Sequence, residues 1–139
     1  MPEGSPSTLY QVLSTKYKFM HNFRKLDIWN DSMDMTVHVY KLISKFPNEE
    51  KYNLSSQIKR CAVSVPSNIA EGAGRNSDGE FGHFLGISNA SAYELETQLI
   101  ISEKLGLIQE TELQAVMANL HSLQKRIFSL IQSLKNKKG

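Results

Sequence analysis

Cysteine and tryptophan occur once each in 139 residues, proline four times, and each scarcity excludes something. With Cys61 alone, no disulfide can close within the chain, which removes the disulfide-stapled scaffolds. No apolar run approaches the roughly 18 to 20 residues of a membrane span. Residues 1–8 lack the basic flank and apolar stretch of a secretory signal, so a cytoplasmic protein with no membrane segment is expected. Strand-like alternation never runs long enough to compete with helical period. No Ser/His/Asp or Cys/His arrangement emerges, and His21, His38, His83 and His121 have no i, i+4 pairing that fits zinc. Glu80 and His83 make one Glu-x-x-His element, but a di-iron bundle needs two, and Ala118 stands three positions before His121. Neither a metal nor another cofactor is expected. Gly72, Gly74 and Gly79 follow a helix rather than a strand, so they read as a helix end and turn, not a phosphate-cradling loop.

What the chain does have is helical period. At 40% apolar and 22% charged residues it can build one domain with a real core. The first apolar pattern includes Phe23, Leu26, Trp29, Met33, Val37, Tyr40 and Ile43, and stops at Phe46-Pro47, where proline disfavours helical geometry in the residue before it. Ile28, Met35, Val39 and Leu42 lie on another face of the same helix. One core needs one stripe, so this extra face predicts a contact with another subunit. The second pattern is Leu54, Ile58, Cys61, Val65 and Ile69; Pro66 within it frees the carbonyl of Ala62 and predicts a kink. The third carries Phe81, Phe84, Leu85, Ser88, Ala92, Leu95, Leu99 and Ile101, with Asp78 as its N-cap and an end near Leu105-Gly106. The fourth starts at Thr111 and follows Leu113, Val116, Leu120, Leu123, Ile127, Leu130 and Leu134, a bundle seam. Short connections favour antiparallel neighbours. The expected fold is all-α: an antiparallel up-down four-helix bundle over residues 23–136, with a kinked second helix. Residues 1–22 form an N-terminal arm or a short extra helix on Leu9, Val12, Leu13 and Tyr17, and residues 137–139 a basic tail.

Residues 60–75 place a proline, serines, an asparagine and a glutamate where an apolar face should continue. Their simplest role is a structural polar network of Ser64, Asn68 and Glu71, with Glu96 reaching inward from the third helix to Asn68, Ser64 or Arg60 and fixing the bundle's register. An enzyme using Glu71, Glu96 and Asn68 would instead need a cleft beside Pro66. Cys61 among these neighbours reads as a small buried hydrophobe.

The net charge of +2 conceals a division. Residues 1–70 hold nine Lys or Arg against six acids, residues 71–112 two against eight, and residues 113–139 five against none. Acidic and basic segments can pair within a bundle, pair between subunits, or stay solvated. Arg60, Arg75, Lys125 and Arg126 are the candidate nucleic-acid contacts, reading phosphate rather than sequence. Aromatic residues do not interleave with these cations along the chain, so base stacking is not indicated.

The residues carrying a likeness run in order along the chain. They are Phe23-x-x-Leu26-x-x-Trp29, then Tyr40 through Phe46-Pro47-x-x-Glu50-x-Tyr52-x-Leu54, and Gln57-Ile58-x-Arg60. Ser64-Val-Pro66-x-Asn68-Ile-Ala-Glu71-Gly72, Phe84-Leu85 and Ser91-x-x-Glu94-Leu-Glu96-Thr97-Gln-Leu99 follow. Together they resemble the small four-helix bundle proteins encoded within intervening sequences of bacterial 23S ribosomal RNA genes. That family also includes the accessory protein of diversity-generating retroelements. The resemblance implies a cyclic homo-oligomer, a pentamer, with no enzyme activity. For the retroelement branch it implies a basic barrel that binds nucleic acid and a reverse transcriptase. The functional expectation is a non-enzymatic oligomer that binds structured RNA or DNA. The alternative is a protein-interaction adaptor with no nucleic-acid ligand.

Overall fold

A computed structural model describes residues 22–51 and 53–137. Residues 1–21 of the N-terminal arm and the last two residues of the basic tail lie outside the described residues. Four helices follow: α1 (Asp27–Ile43), α2 (Leu54–Ala73), α3 (Asp78–Lys104) and α4 (Glu110–Asn136), with single 3-10 turns at Phe23–Lys25 and Asn48–Glu50 and no strand among the described residues. Each helix packs on the next, and α1 also packs on α4, so the four enclose one core.

The helix ends follow local chemistry. Ser77, not Asp78, caps α3, its hydroxyl accepting from the Glu80 amide at 3.1 Å. Both residue types cap well; the one whose backbone is still extended takes the place. The other end of α3 closes on Gly106, whose φ of 78° is the left-handed geometry that favours glycine. Its amide donates to the Glu103 carbonyl and that of Leu107 to Ser102, both at 2.9 Å, so two end-of-helix carbonyls are satisfied. α4 begins one residue before Thr111, with Gln109 as its cap and the Glu112 carboxylate accepting from the Gln109 amide at 2.9 Å.

The apolar patterns of α2 and α4 lie in the core almost as expected. Ile58, Cys61, Val65 and Ile69 are buried on α2, and Leu113, Val116, Leu120, Leu123, Ile127 and Leu134 on α4. On α1 the two stripes exchange roles. Ile28, Met35, Val39 and Leu42 are in the core, joined by Ile43, whereas Met33, Val37 and Tyr40 are exposed. Ile101 of α3 also faces outward.

Pro66 leaves α2 unbroken from Leu54 to Ala73. The carbonyl it frees on Ala62 is taken up by α1: the Thr36 hydroxyl lies 3.0 Å from it and 2.8 Å from the Ser32 carbonyl, one proton serving two acceptors. α2 and α3 approach closely because their facing residues are small. A Cβ on Gly72 would stand 2.7 Å from the Cβ of Phe84, far inside van der Waals contact. A line of polar pairs joins these helices: Gln57 with Gln98 at 3.5 Å, Cys61 with Glu94 at 3.0 Å, Ser64 with Ser91 at 2.7 Å, and the Ser88 hydroxyl on the Val65 carbonyl at 2.8 Å. Residue numbers fall on α3 as they rise on α2.

Candidate functional site

The polar island divides into three groups. Ser64 and Asn68 are together, the Asn68 amide donating to the Ser64 hydroxyl at 2.9 Å and to its carbonyl at 2.8 Å. Glu71 is exposed and turned to Arg75, one helical turn on, at 2.9 Å. Glu96 does not reach α2. Spacing along a helix leaves open which neighbour a side chain meets, and Glu96 meets α4. There its carboxylate accepts from the Gln124 amide at 2.8 Å and from His121 Nε2 at 3.1 Å. An ionised carboxylate only accepts, so His121 carries its proton on Nε2. The Gln124 bond, followed by that of His121, holds the Glu96 carboxyl below its ordinary value. Burial foremost, then the Glu94 carboxylate beside it, pushes the Cys61 thiol up to about 12.

The four candidate cations are equally dispersed. Arg126 donates to Asp31 of α1 at 2.7 Å, which closes α1 against α4. Arg75 is held by Glu71 and lies over the Phe84 ring at 4.6 Å. Arg60 and Lys125 are exposed and have no ion pair among the described residues. Lys59 sits over Tyr40 at 5.4 Å, and Lys45 holds Glu112 at 3.0 Å.

Around Lys125 the fold assembles what the linear order conceals. Tyr93 of α3 and Phe128 of α4, 54% and 57% exposed, line one open surface cavity of about 580 Å³ with Lys125, His121, Gln124 and Ser129. Aromatic rings therefore do stand beside a candidate cation, because α3 brings Tyr93 to α4. A second shallow cavity of about 550 Å³ shares Phe128 and Ser129 and continues along α4 past Gln132, Ser133 and Asn136 to Lys137. The larger trough of about 710 Å³ lies between the start of α3 and the end of α4, lined by Gly82, Gly86, Ile87, Ile131 and Leu134. A Cβ on Gly82 or Gly86 would meet nothing within 4 Å, so packing inside the chain does not require these glycines. Beside Pro66 there is an apolar depression lined by Trp29, Met33 and Val63; Asn68, Glu71 and Glu96 do not line it. Among the described residues no three His, Cys, Asp or Glu gather as metal ligands, and no helix is long and apolar enough to cross a membrane.

A family profile described as 23S rRNA-intervening sequence protein matches residues 24–129. The chain belongs to that family. No curated protein matches it. Its fold is shared with a protein of unknown function from the S23 ribosomal protein family of Bacteroides thetaiotaomicron. The two have a TM-score of 0.68 and 22% identity over 75% of this chain and 97% of the other. The family match covers all of α1, α2 and α3 and most of α4, including the Tyr93, Lys125 and Phe128 cluster.

Proposed function

We propose that this family member is a non-enzymatic, cytoplasmic accessory protein that binds structured RNA or DNA through phosphate contacts as a cyclic homo-oligomer, a pentamer. In it each bundle runs antiparallel, up and down. The observation that carries the reading is the charge of α4. Beyond Glu112 the chain holds Lys125, Arg126, Lys135, Lys137 and Lys138 and no carboxylate side chain. Asp31 neutralises Arg126, so the assignment moves to Lys125 and Arg60 as phosphate contacts, with Arg75 secondary because Glu71 already holds it. Repetition around an axis turns a few weak contacts into useful affinity. Two unlike apolar surfaces support assembly: the Met33, Val37 and Tyr40 stripe on α1 and the glycine-lined trough on α3. Surfaces that differ make head-to-tail contacts, which form a ring where the rotation closes. A reverse transcriptase is the protein partner if the chain serves a retroelement. The exposed α1 stripe also favours a second reading, an adaptor that docks another protein and has no nucleic-acid ligand.

The test is a salt titration of binding to a folded RNA hairpin and a duplex DNA, with the particle's mass followed by sedimentation. Wild-type affinity should fall steeply and linearly in log–log form. Arg60→Glu with Lys125→Glu should weaken both ligands about equally and flatten the slope by about one for each cation removed. Affinity unchanged in that double variant removes these residues, and no binding at low salt leaves the adaptor.

A further inference from the structure

We infer that the cavity between Tyr93 and Phe128 is a stacking site for a base of unpaired RNA, with Lys125 taking the adjoining phosphate. This rests on the nucleic-acid reading and narrows it, because the ligand becomes a looped-out or single-stranded nucleotide rather than a duplex backbone.

Four observations converge. First, two large rings from different helices are both more than half exposed and both line the same cavity. Neither is needed by the core, and an exposed ring beside a polar wall offers a π-face that any base can use. Second, the cavity, about 580 Å³, falls in the range of small-ligand sites and has polar groups on its wall. Ser129 offers a hydroxyl. His121, whose Nε2 proton is committed to Glu96, keeps Nδ1 as an acceptor in its neutral form. Third, the charges give the site a direction. Glu96 behind His121 repels a phosphate, and both its oxygens are occupied, whereas Lys125 has no carboxylate on it among the described residues. The base therefore belongs on the His121 side and the phosphate with Lys125. Fourth, the cavity continues into the shallow one that ends at Lys137, sharing Phe128 and Ser129. Residues 121–136 of α4 span about 22 Å at 1.5 Å per residue, a track for several nucleotides. A paired helix keeps its bases stacked inside and cannot present one to these rings, which is why the ligand is unpaired, and RNA is where looped-out bases are commonest.

The test uses the full chain and anisotropy of a fluorescein-labelled twelve-residue oligo(A) RNA, beside a blunt-ended, fully paired RNA duplex with no loop. Tyr93→Ala with Phe128→Ala should weaken oligo(A) binding by tenfold or more while leaving its salt slope and the duplex affinity alone, as expected when stacking is removed. Lys125→Glu should weaken both ligands and lower the slope by about one. Circular dichroism checks that each variant is folded, and sedimentation reads its mass. Wild-type oligo(A) affinity in the aromatic variant, with Lys125→Glu still weakened, overturns stacking and leaves phosphate binding standing. A smaller particle for the aromatic variant makes this face a contact between copies and also overturns it. Failure of the wild type to bind either RNA removes the nucleic-acid reading itself.

Discussion

Single atoms decide what several conspicuous residues can do. Cys61 is the clearest: its thiol donates to Glu94 at 3.0 Å and is buried, and both effects disfavour the thiolate. Moving a thiol from 9.0 to about 12 removes three decades of thiolate at neutral pH. The remaining thiolate is intrinsically more nucleophilic, which returns about half of this, so iodoacetamide should label native Cys61 at least on the order of thirtyfold more slowly than the same protein in urea. Native labelling within tenfold of the unfolded rate would contradict this placement. The sequence already marked Cys61 as a small buried hydrophobe, since its neighbours at helical spacing are apolar. Glu96 was less legible. Its position on α3 is plain from the period, but one helix cannot say which neighbour each side chain meets, and Gln124 and His121 claimed it.

Among the helices, α1 and α2 are the instructive pair. Period alone found α2 and α4 because each has a single apolar stripe. α1 has two stripes of similar apolarity, and hydrophobicity does not choose between them. The choice follows the polar residues: Ser32 and Thr36 bond to backbone carbonyls, and Asp31 holds Arg126. Pro66 and the carbonyl it frees were readable in the chain, whereas Thr36, 26 residues away, was not. This arrangement predicts coupling. Thr36→Val should cost about 1–3 kcal/mol, because the Ala62 carbonyl is left without a partner. In a Pro66→Ala background the restored amide can reach that carbonyl, so Thr36→Val should cost less, with a coupling of about 0.5–3 kcal/mol. Equal costs in both backgrounds, measured by urea denaturation, would mean that Thr36 does not serve that carbonyl.

Across the bundle, the divided charge of the sequence is used sparingly inside the chain. Of the eight acids in residues 71–112, Glu96 reaches the basic helix through His121, and Asp31 and Lys45 tie α1 to α4 through exposed pairs that contribute little to stability. The Glu96 tie has a pH signature. Its carboxyl is held below the ordinary 4.5, first by Gln124. A depressed carboxylate contributes stability above its unfolded value and loses it as pH falls through the folded one. Gln124→Leu should therefore lower Tm at pH 7, and the gap from wild type should narrow as pH drops below 4.5. A gap constant down to pH 3 would assign the loss to packing. The cavity that Tyr93 and Phe128 line together is likewise a property of the assembled helices. Neither residue signals anything alone, since exposed aromatics occur singly on many surfaces, and the packing of α3 on α4 brings both to one cavity.

The manner in which α1 is held has a consequence for motion. α2 and α3 are joined by a row of polar pairs, the shortest at 2.7 Å, while α1 is held by its apolar face, Thr36, a long 3.5 Å bond from Asn119 to the Asp31 carbonyl, Lys59 over Tyr40 and two solvent-exposed ion pairs. Local opening begins where the tertiary ties are most open to solvent, so backbone amides of α1 should exchange with solvent before those of the α2–α3 pair. Each opening uncovers Ile28, Met35, Val39 and Leu42 next to the already bare Met33, Val37 and Tyr40. The helix that breathes most is then also the stickiest when it does, and a neighbour seated on α1 would slow its exchange and shield it from aggregation.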